Sequence, residues 1–253
     1  MNIVDRGSGP PLVLIPGLQG RWEYMRPTVD ALAASFRVIT FSLEGADFDS
    51  YADQVARALD GARIDAAVVC GQSFGGMIAV HFAGRFPQRC KALVLASTPK
   101  PALTLRKRHQ MYLRAPWILG PLFLAETPFR VRREVRAALA EPAARRRFTL
   151  DALRTFFRAP LSLRKMAARA RLVTSDAIVA DCRRITAPTL IVTGEAHLDY
   201  VVPVDGTAEY ERLIPRTRRE VLRSTGHLGA MTRPHEFAAL VREFVEGLRD
   251  AAA

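Results

Sequence analysis

The residues with the most chemical promise are Ser73, His227 and the acids that follow residue 193. Ser73 lies in Gly71-Gln72-Ser73-Phe74-Gly75, a G-x-S-x-G pentapeptide between the apolar run Val68-Val69-Cys70 and a helical pattern from Met77 to Phe86. A serine on so tight a strand-to-helix turn needs glycine on either side, because the turn strains the serine backbone and leaves no room for a Cβ beside it. The strain pushes the hydroxyl outward as a nucleophile. The helix behind it aims unpaired backbone N–H groups at the place where an attacked carbonyl would gather negative charge. A bare pentapeptide of this kind arises by chance in roughly one chain in ten of this length. Its weight comes from context: the strand before it, a further glycine at Gly76, and the helix after it.

A serine nucleophile needs a base, and the histidines are His81, His109, His197, His227 and His235. His81 falls inside the helix after the turn and reads as a packed residue. His109 neighbours Arg106, Lys107 and Arg108, and His235 opens the last helix. His197 shares a loop with the acids and is a weaker choice. His227, in Gly226-His227-Leu228-Gly229, follows a strand and precedes a helix, so it emerges at the C-terminal edge of a parallel sheet, where ligands bind. Ser73 emerges at that edge too. The base in turn needs a carboxylate to hold its tautomer and stabilise the imidazolium. Beyond strand Thr189–Val192 the candidates are Glu195, Asp199 and Asp205. Asp199 is preferred, since Glu195 sits close enough to the strand end to point sideways and Asp205 opens the next helix.

The elements that must position these groups can be read from periodicity. A short continuous apolar run predicts a strand buried on both faces at Pro11–Ile15, and further strands are read at Arg37–Phe41, Ala66–Cys70, Ala92–Ala96, Thr189–Val192 and Glu220–Leu222. They alternate with helices at Pro27–Phe36, after a cap at Ser50, at Met77–Phe86, at Val204–Ile214 and at Pro234–Leu248. That alternation predicts βαβ units, hence an α/β fold with a mostly parallel, doubly wound sheet. From Pro99 to Ile185 the pattern is helical only. Thr127-Pro128 reads as a helix start, Val131, Val135 and Leu139 form one stripe, and Leu153, Phe156 and Phe157 mark another short helix. Charge divides the chain in the same place. Residues 100–184 hold 20 of the 37 Lys and Arg but 6 of the 25 Asp and Glu, whereas the remainder is near neutral. The expected organisation is a core of 1–99 and 185–253 with an all-helical cap of 100–184 inserted in it.

Composition narrows the class further. With 253 residues and 49% hydrophobic content the chain can bury a large core. The opening Met1-Asn2-Ile3-Val4-Asp5-Arg6 lacks a leader pattern and no 18-residue apolar span occurs, so neither signal peptide nor membrane anchor is expected. Cys70, Cys90 and Cys182 are odd in number and without C-x-x-C spacing, which reads as reduced, structural thiols in a cytoplasmic protein. The insert's arginines lie mainly opposite its apolar stripes, as solvated helix faces do, and no nucleic-acid-binding motif accompanies them.

Together these residues resemble the α/β-hydrolase superfamily over essentially the whole chain. The order Ser73, Asp199, His227 is similar to that family's nucleophile, acid, base order. Asp199-Tyr200-Val201-Val202-Pro203 is similar to its D-x-x-x-P, and Gly226-His227 followed by Pro234 to its G-H-x₆-P. Leu14-Ile15-Pro16-Gly17-Leu18 looks like its first oxyanion turn. The resemblance implies an oxyanion hole made by the N–H groups of Leu18 and Phe74, and a helical lid between the family's sixth and seventh strands. The sequence departs from the family at Pro16, where histidine is usual, at Ser42–Asp47, and at the loop Gly194–Asp199, which is about two residues longer than usual.

The expected activity is therefore hydrolysis of a carboxylic ester through an acyl-enzyme on Ser73. Thioesterase or lactonase chemistry is the nearest alternative, and a lyase, a cofactor-free oxygenase or a ligand receptor could use the same fold. The expected pocket residues are Gln19, Tyr112, Trp117, Ile118, Leu122 and Phe123. No cofactor and no metal is implied. The expected partner is a small-molecule acyl substrate, with no nucleic acid, and the protein as a monomer or homodimer.

Overall fold

The structure, a computed structural model, describes residues 2–105 and 107–250. Arg106, counted with Lys107 and Arg108 in the basic run, lies outside the described residues. Seven strands form one sheet: β1 Ile3–Arg6, β2 Pro11–Ile15, β3 Arg37–Phe41, β4 Ala67–Gln72, β5 Cys90–Ala96, β6 Thr189–Thr193 and β7 Thr217–Val221, in the order β1-β3-β2-β4-β5-β6-β7. Only β1 runs antiparallel, pairing with β3 at the edge. The helices are α1 Arg26–Leu32, α2 Phe48–Gly61, α3 Phe74–Arg85, α4 Lys107–Arg114, α5 Pro116–Ala138, α6 Pro142–Arg158, α7 Leu163–Leu172, α8 Ala177–Cys182, α9 Ala208–Leu213, α10 Gly229–Thr232 and α11 Pro234–Asp250.

Strand side chains alternate between two cores, as the period of a strand requires. Val13 and Ile15 of β2 face one side, with Tyr51 and Val55 of α2 and Met77 and Val80 of α3. Leu12 and Leu14 face the other, with Val29 and Leu32 of α1 and Phe237 and Val241 of α11. Both faces are covered, so the β2 and β4 side chains are buried along nearly their full length. That is why these strands read as continuous apolar runs. Cys70, Cys90 and Cys182 are free and buried, and burial pushes each thiol up to about 12. Among the described residues no helix is long and apolar enough to cross a membrane.

Several expected boundaries move. The cap of α2 is Asp47, not Ser50: Asp47 Oδ1 accepts from the Ser50 N–H at 2.8 Å, and Ser50 Oγ accepts from the Asp47 N–H at 3.1 Å. Strand β7 is Thr217–Val221, earlier than the expected Glu220–Leu222, because it lies at the sheet edge, where charged residues such as Arg218 and Arg219 are tolerated. No helix starts at Thr127-Pro128, since α5 runs unbroken from Pro116 to Ala138 with Pro121 and Pro128 inside it. An interior proline costs a helix about 3 kcal/mol. The Thr127 hydroxyl and Arg130 Nη2 both donate to the Phe123 carbonyl in the turn before Pro128, at 3.1 and 3.0 Å.

Helices α4–α8 all fall between β5 and β6 of this seven-stranded sheet. One tie from that stretch to the sheet-covering helices involves His81 on α3. Its Nδ1 lies 2.7 Å from Asp181 Oδ2 on α8, and its Nε2 lies 3.1 Å from Asp49 Oδ1 on α2. Burial lowers the imidazole pKa, but Asp181 and then Asp49 outweigh it, so the net shift is upward from 6.5. A raised folded pKa gives stability that is fully present below pH 6.5 and fades as pH rises through the folded value. Asp181→Asn should therefore destabilise the fold by about 1.5–3 kcal/mol at pH 6, the usual worth of a hydrogen bond to a charged group. The loss should be smaller at pH 9. Urea melts at the two pH values test this, and equal losses would mean that His81 is uncharged at both.

Candidate active site

β4 is the central strand of the seven. At its C-terminal end the chain turns through Ser73 into α3 with Ser73 at φ 53° and ψ −123°, a left-handed conformation that a residue with a Cβ adopts only when held there. Glycine is needed around it because the turn folds onto itself: a Cβ on Gly71 would lie 2.2 Å from the Gly75 carbonyl oxygen. The Ser73 N–H is tied to the Ala96 carbonyl of the neighbouring strand at 2.8 Å.

His227 comes from the loop between β7 and α10, and its Nε2 lies 3.0 Å from Ser73 Oγ. The imidazole is buried against Gln72, whose Nε2 donates to the His227 carbonyl at 3.0 Å. Its Nδ1 faces Asp199 Oδ2 at 3.4 Å, an ion-pair separation longer than a hydrogen bond, and Nδ1 has no hydrogen-bond partner. The Asp199 side chain is 2% exposed, and its Oδ1 accepts from the N–H groups of Val201 at 2.9 Å and Val202 at 2.8 Å. Burial raises the Asp199 pKa, but His227 and these two N–H groups outweigh it and hold the carboxyl below its ordinary range. An ionised carboxylate, an imidazole and a serine hydroxyl thus lie in one line.

The longer loop from Gly194 explains which acid arrives there. Its extra residues wind into a helical turn, with the Asp199 N–H donating to the Glu195 carbonyl at 3.2 Å, and the turn carries Asp199 back toward His227. Glu195 is used elsewhere: its Oε1 accepts from the Ser224 N–H at 3.2 Å and its Oε2 faces exposed His197 at 3.6 Å. Asp205 is exposed in the first turn of a 3₁₀ segment, Val204–Thr207.

Beside Ser73 is a small cavity of about 20 Å³ with Gln19, Arg21, Tyr24, Met25 and Met231 in its walls. That volume holds about one water molecule. The turn bearing Leu18 abuts the serine, since a Cβ on Gly17 would lie 3.4 Å from the Ser73 Cβ, and Phe74 is the buried first residue of α3. Of the residues expected to line the pocket, Gln19 is in this wall. The aromatic and aliphatic residues expected over the pocket are not. Trp117 and Ile118 are 71% and 67% exposed, and Leu122 is exposed as well. Tyr112 is buried, but its ring packs edge-on against Phe123 with centroids 5.4 Å apart, within the inserted helices. The reason lies in α5, whose inward face is Pro116, Gly120, Glu134 and Ala138. Small residues let that face approach closely, so the bulky ones point away.

Two charged residues near the site escaped the sequence reading. Glu134 of α5 is buried, and its Oε1 accepts from the N–H of Gly226 at 2.9 Å and from that of Leu228. Arg169 of α7 is buried as well, against the expectation that the insert's arginines are solvated. Its Nη1 donates to the carbonyls of Leu18 and Gln19 at 3.1 and 3.0 Å. The available signals were a lone acid between Val131, Val135 and Ala138, and an arginine in step with Met166 and Val173 on an apolar stripe.

Fold and site together define an α/β protein built around a strained strand-to-helix turn that holds Ser73 against His227. The sequence matches the family described as alpha/beta hydrolase fold over residues 10–234, and the chain belongs to that family. It is 28% identical to the 2-hydroxymuconate semialdehyde hydrolase of Pseudomonas sp. (strain CF600), over 100% of this chain and 92% of that one. It is 29% identical to the pimeloyl-[acyl-carrier protein] methyl ester esterase of Vibrio parahaemolyticus, over 95% and 96%. The enol-lactonase from Burkholderia xenovorans LB400 has the same fold, with a TM-score of 0.78 at 19% identity over 97% of this chain and 96% of that one.

If Asp199 orients His227, Asp199→Asn should lower kcat by about 10³–10⁴-fold, because the amide favours the wrong imidazole tautomer. Glu195→Gln should change it by less than about 3-fold, since Glu195 serves the loop backbone. Steady-state kinetics of the two variants checks the ranking, and the reverse order would move the acid to Glu195.

Proposed function

We propose that this protein is a serine hydrolase that cleaves a carboxylic ester through an acyl-enzyme on Ser73. The observation that carries the reading is the 3.0 Å approach of His227 Nε2 to Ser73 Oγ on a turn that holds the serine at positive φ. In this reading His227 takes the Ser73 proton as Oγ attacks the carbonyl carbon, then gives it to the leaving alcohol. Asp199 keeps the imidazole in the accepting tautomer and stabilises the imidazolium. The N–H groups of Leu18 and Phe74 receive the oxyanion, and water then repeats the sequence to free the acid.

The relatives support hydrolysis as the reaction class, and their names span a methyl ester esterase and a semialdehyde hydrolase. Gln19, Met25 and Met231 make an uncharged stretch of wall next to the serine, which suits a neutral acyl group. Arg21, in the same wall, is already paired with Glu23 at 2.7 Å.

Ser73→Ala should abolish labelling by a fluorophosphonate probe and lower ester turnover by about 10⁴-fold or more, with the melting temperature nearly unchanged. Aryl esters, thioesters and lactones assayed side by side with both proteins identify the acyl class. Retention of more than about a tenth of the activity by Ser73→Ala would overturn the assignment, because triad knockouts leave far less.

A further inference from the structure

Glu134 and Arg169 are the two charges that the inserted helices send into the body of the protein beside Ser73. Glu134 is 1% exposed and Arg169 is 3% exposed. A buried charge is costly unless hydrogen bonds and partners compensate it, so its targets show what it does. The targets of Glu134 are the N–H groups of Gly226 and Leu228, the residues on either side of His227. Those of Arg169 are the carbonyls of Leu18 and Gln19, together with the Leu43 carbonyl at 3.0 Å and the Tyr51 hydroxyl at 3.2 Å. Gly20 makes room for it, at φ 69° and with a virtual Cβ only 2.1 Å from Arg169 Nη1. Each charge therefore grips one of the two turns whose placement relative to Ser73 decides the geometry of attack.

We propose that Glu134 and Arg169 are positioning residues, through which the inserted helices set the His227 loop and the Leu18–Gln19 turn. The inference rests on the reading of Ser73 and His227 as nucleophile and base. The two contacts differ in kind. Both N–H groups meet one oxygen of Glu134, Oε1, so the other oxygen can take a proton without breaking either bond. Burial pushes this carboxyl up to about 7, opposed by the Leu228 N–H, His227 and the Gly226 N–H and reinforced by Asp199. An amide oxygen can accept the same pair of bonds. The guanidinium of Arg169 instead spans several acceptors with a planar fork that an ammonium group cannot copy.

The test is steady-state kinetics of folded Glu134→Ala, Glu134→Gln, Arg169→Lys and Arg169→Met, with melting temperature and the His227 ring proton signals recorded for each. Misplacement of a reacting group by about 1 Å costs up to about 100-fold in rate. Glu134→Ala should thus lose about 10–100-fold in kcat with KM changed less than about 3-fold, and Glu134→Gln should recover most of it. Arg169→Lys should not recover the loss that Arg169→Met causes. The His227 signals should move in Glu134→Ala and return toward wild type in Glu134→Gln. A folded Glu134→Ala with unchanged kcat and unmoved His227 signals overturns the proposal, as does equal loss in the alanine and glutamine variants. Should the Arg169 variants fail to fold, the Glu134 pair decides alone. Ser73→Ala run in parallel separates the two readings, because the His227 signals report the loop whether or not Ser73 is the nucleophile.

Discussion

The constraint on which the rest of the structure depends is the left-handed backbone of Ser73, wedged between the central strand β4 and helix α3. Such a conformation costs of order 1–3 kcal/mol and persists only where the surroundings over-determine it. Here they do. β4 is fully buried with neighbours on both sides, α3 packs into the core with its Phe74 ring against Phe48 and Tyr51, and the Ser73 N–H is pinned to β5. The sheet buries apolar surface, and part of that stability is held as strain in one serine. The hydroxyl is presented at the strand's end because nothing else in the turn can relax.

What was legible in the sequence follows from how local each signal is. The G-x-S-x-G turn, the β4 run before it and Gly226-His227 are fixed by residues within a few positions of one another, and the structure brings Ser73, His227 and Asp199 together as their order suggested. The loop carrying Asp199 was longer than the family pattern, and only the structure shows its extra residues winding into a turn. The inserted helices were far less legible. Thr127-Pro128 fits a helix start because proline is over-represented at the first helical position, yet α5 carries Pro128 in its interior. Apolar size does not mark the inward face of α5. Its buried residues are Pro116, Gly120, Glu134 and Ala138, chosen by closeness of approach.

The same holds for the electrostatics. The insert's excess of basic residues suggested a solvated shell, and for Arg132, Arg133 and Arg136, all exposed, that holds. Arg169 and Glu134 obey another rule. Each is buried, and each spends its charge on backbone groups of loops that lack a regular hydrogen-bond ladder of their own. Loops at the C-terminal edge of a parallel sheet carry orphan N–H and C=O groups that must find partners once helices cover them. A guanidinium satisfies carbonyls and a carboxylate satisfies N–H groups, so the sign of each buried charge matches the polarity of the turn beneath it.

These contacts also bear on how the site can admit a substrate. A cavity of about 20 Å³ beside Ser73 holds about one water molecule, so any larger molecule can reach the serine only if neighbouring atoms yield. They cannot yield equally. Moving α5 breaks the Glu134 bonds and moving α7 breaks those of Arg169, and in each case buried polar groups are left without partners. Helix α6 has no such anchor: it buries none of its side chains, Phe157 stands 79% exposed, and the bond from the Tyr24 hydroxyl to the Ala159 carbonyl at its end is a long 3.3 Å. Segments with few buried contacts open at the lowest free energy. Tyr24 also lines the cavity, so the wall next to the serine leans on the least anchored of the long inserted helices. A displacement of α6 would leave the Glu134 bonds to the His227 loop and the Arg169 bonds to the Leu18–Gln19 turn untouched, because neither contact involves a residue of α6.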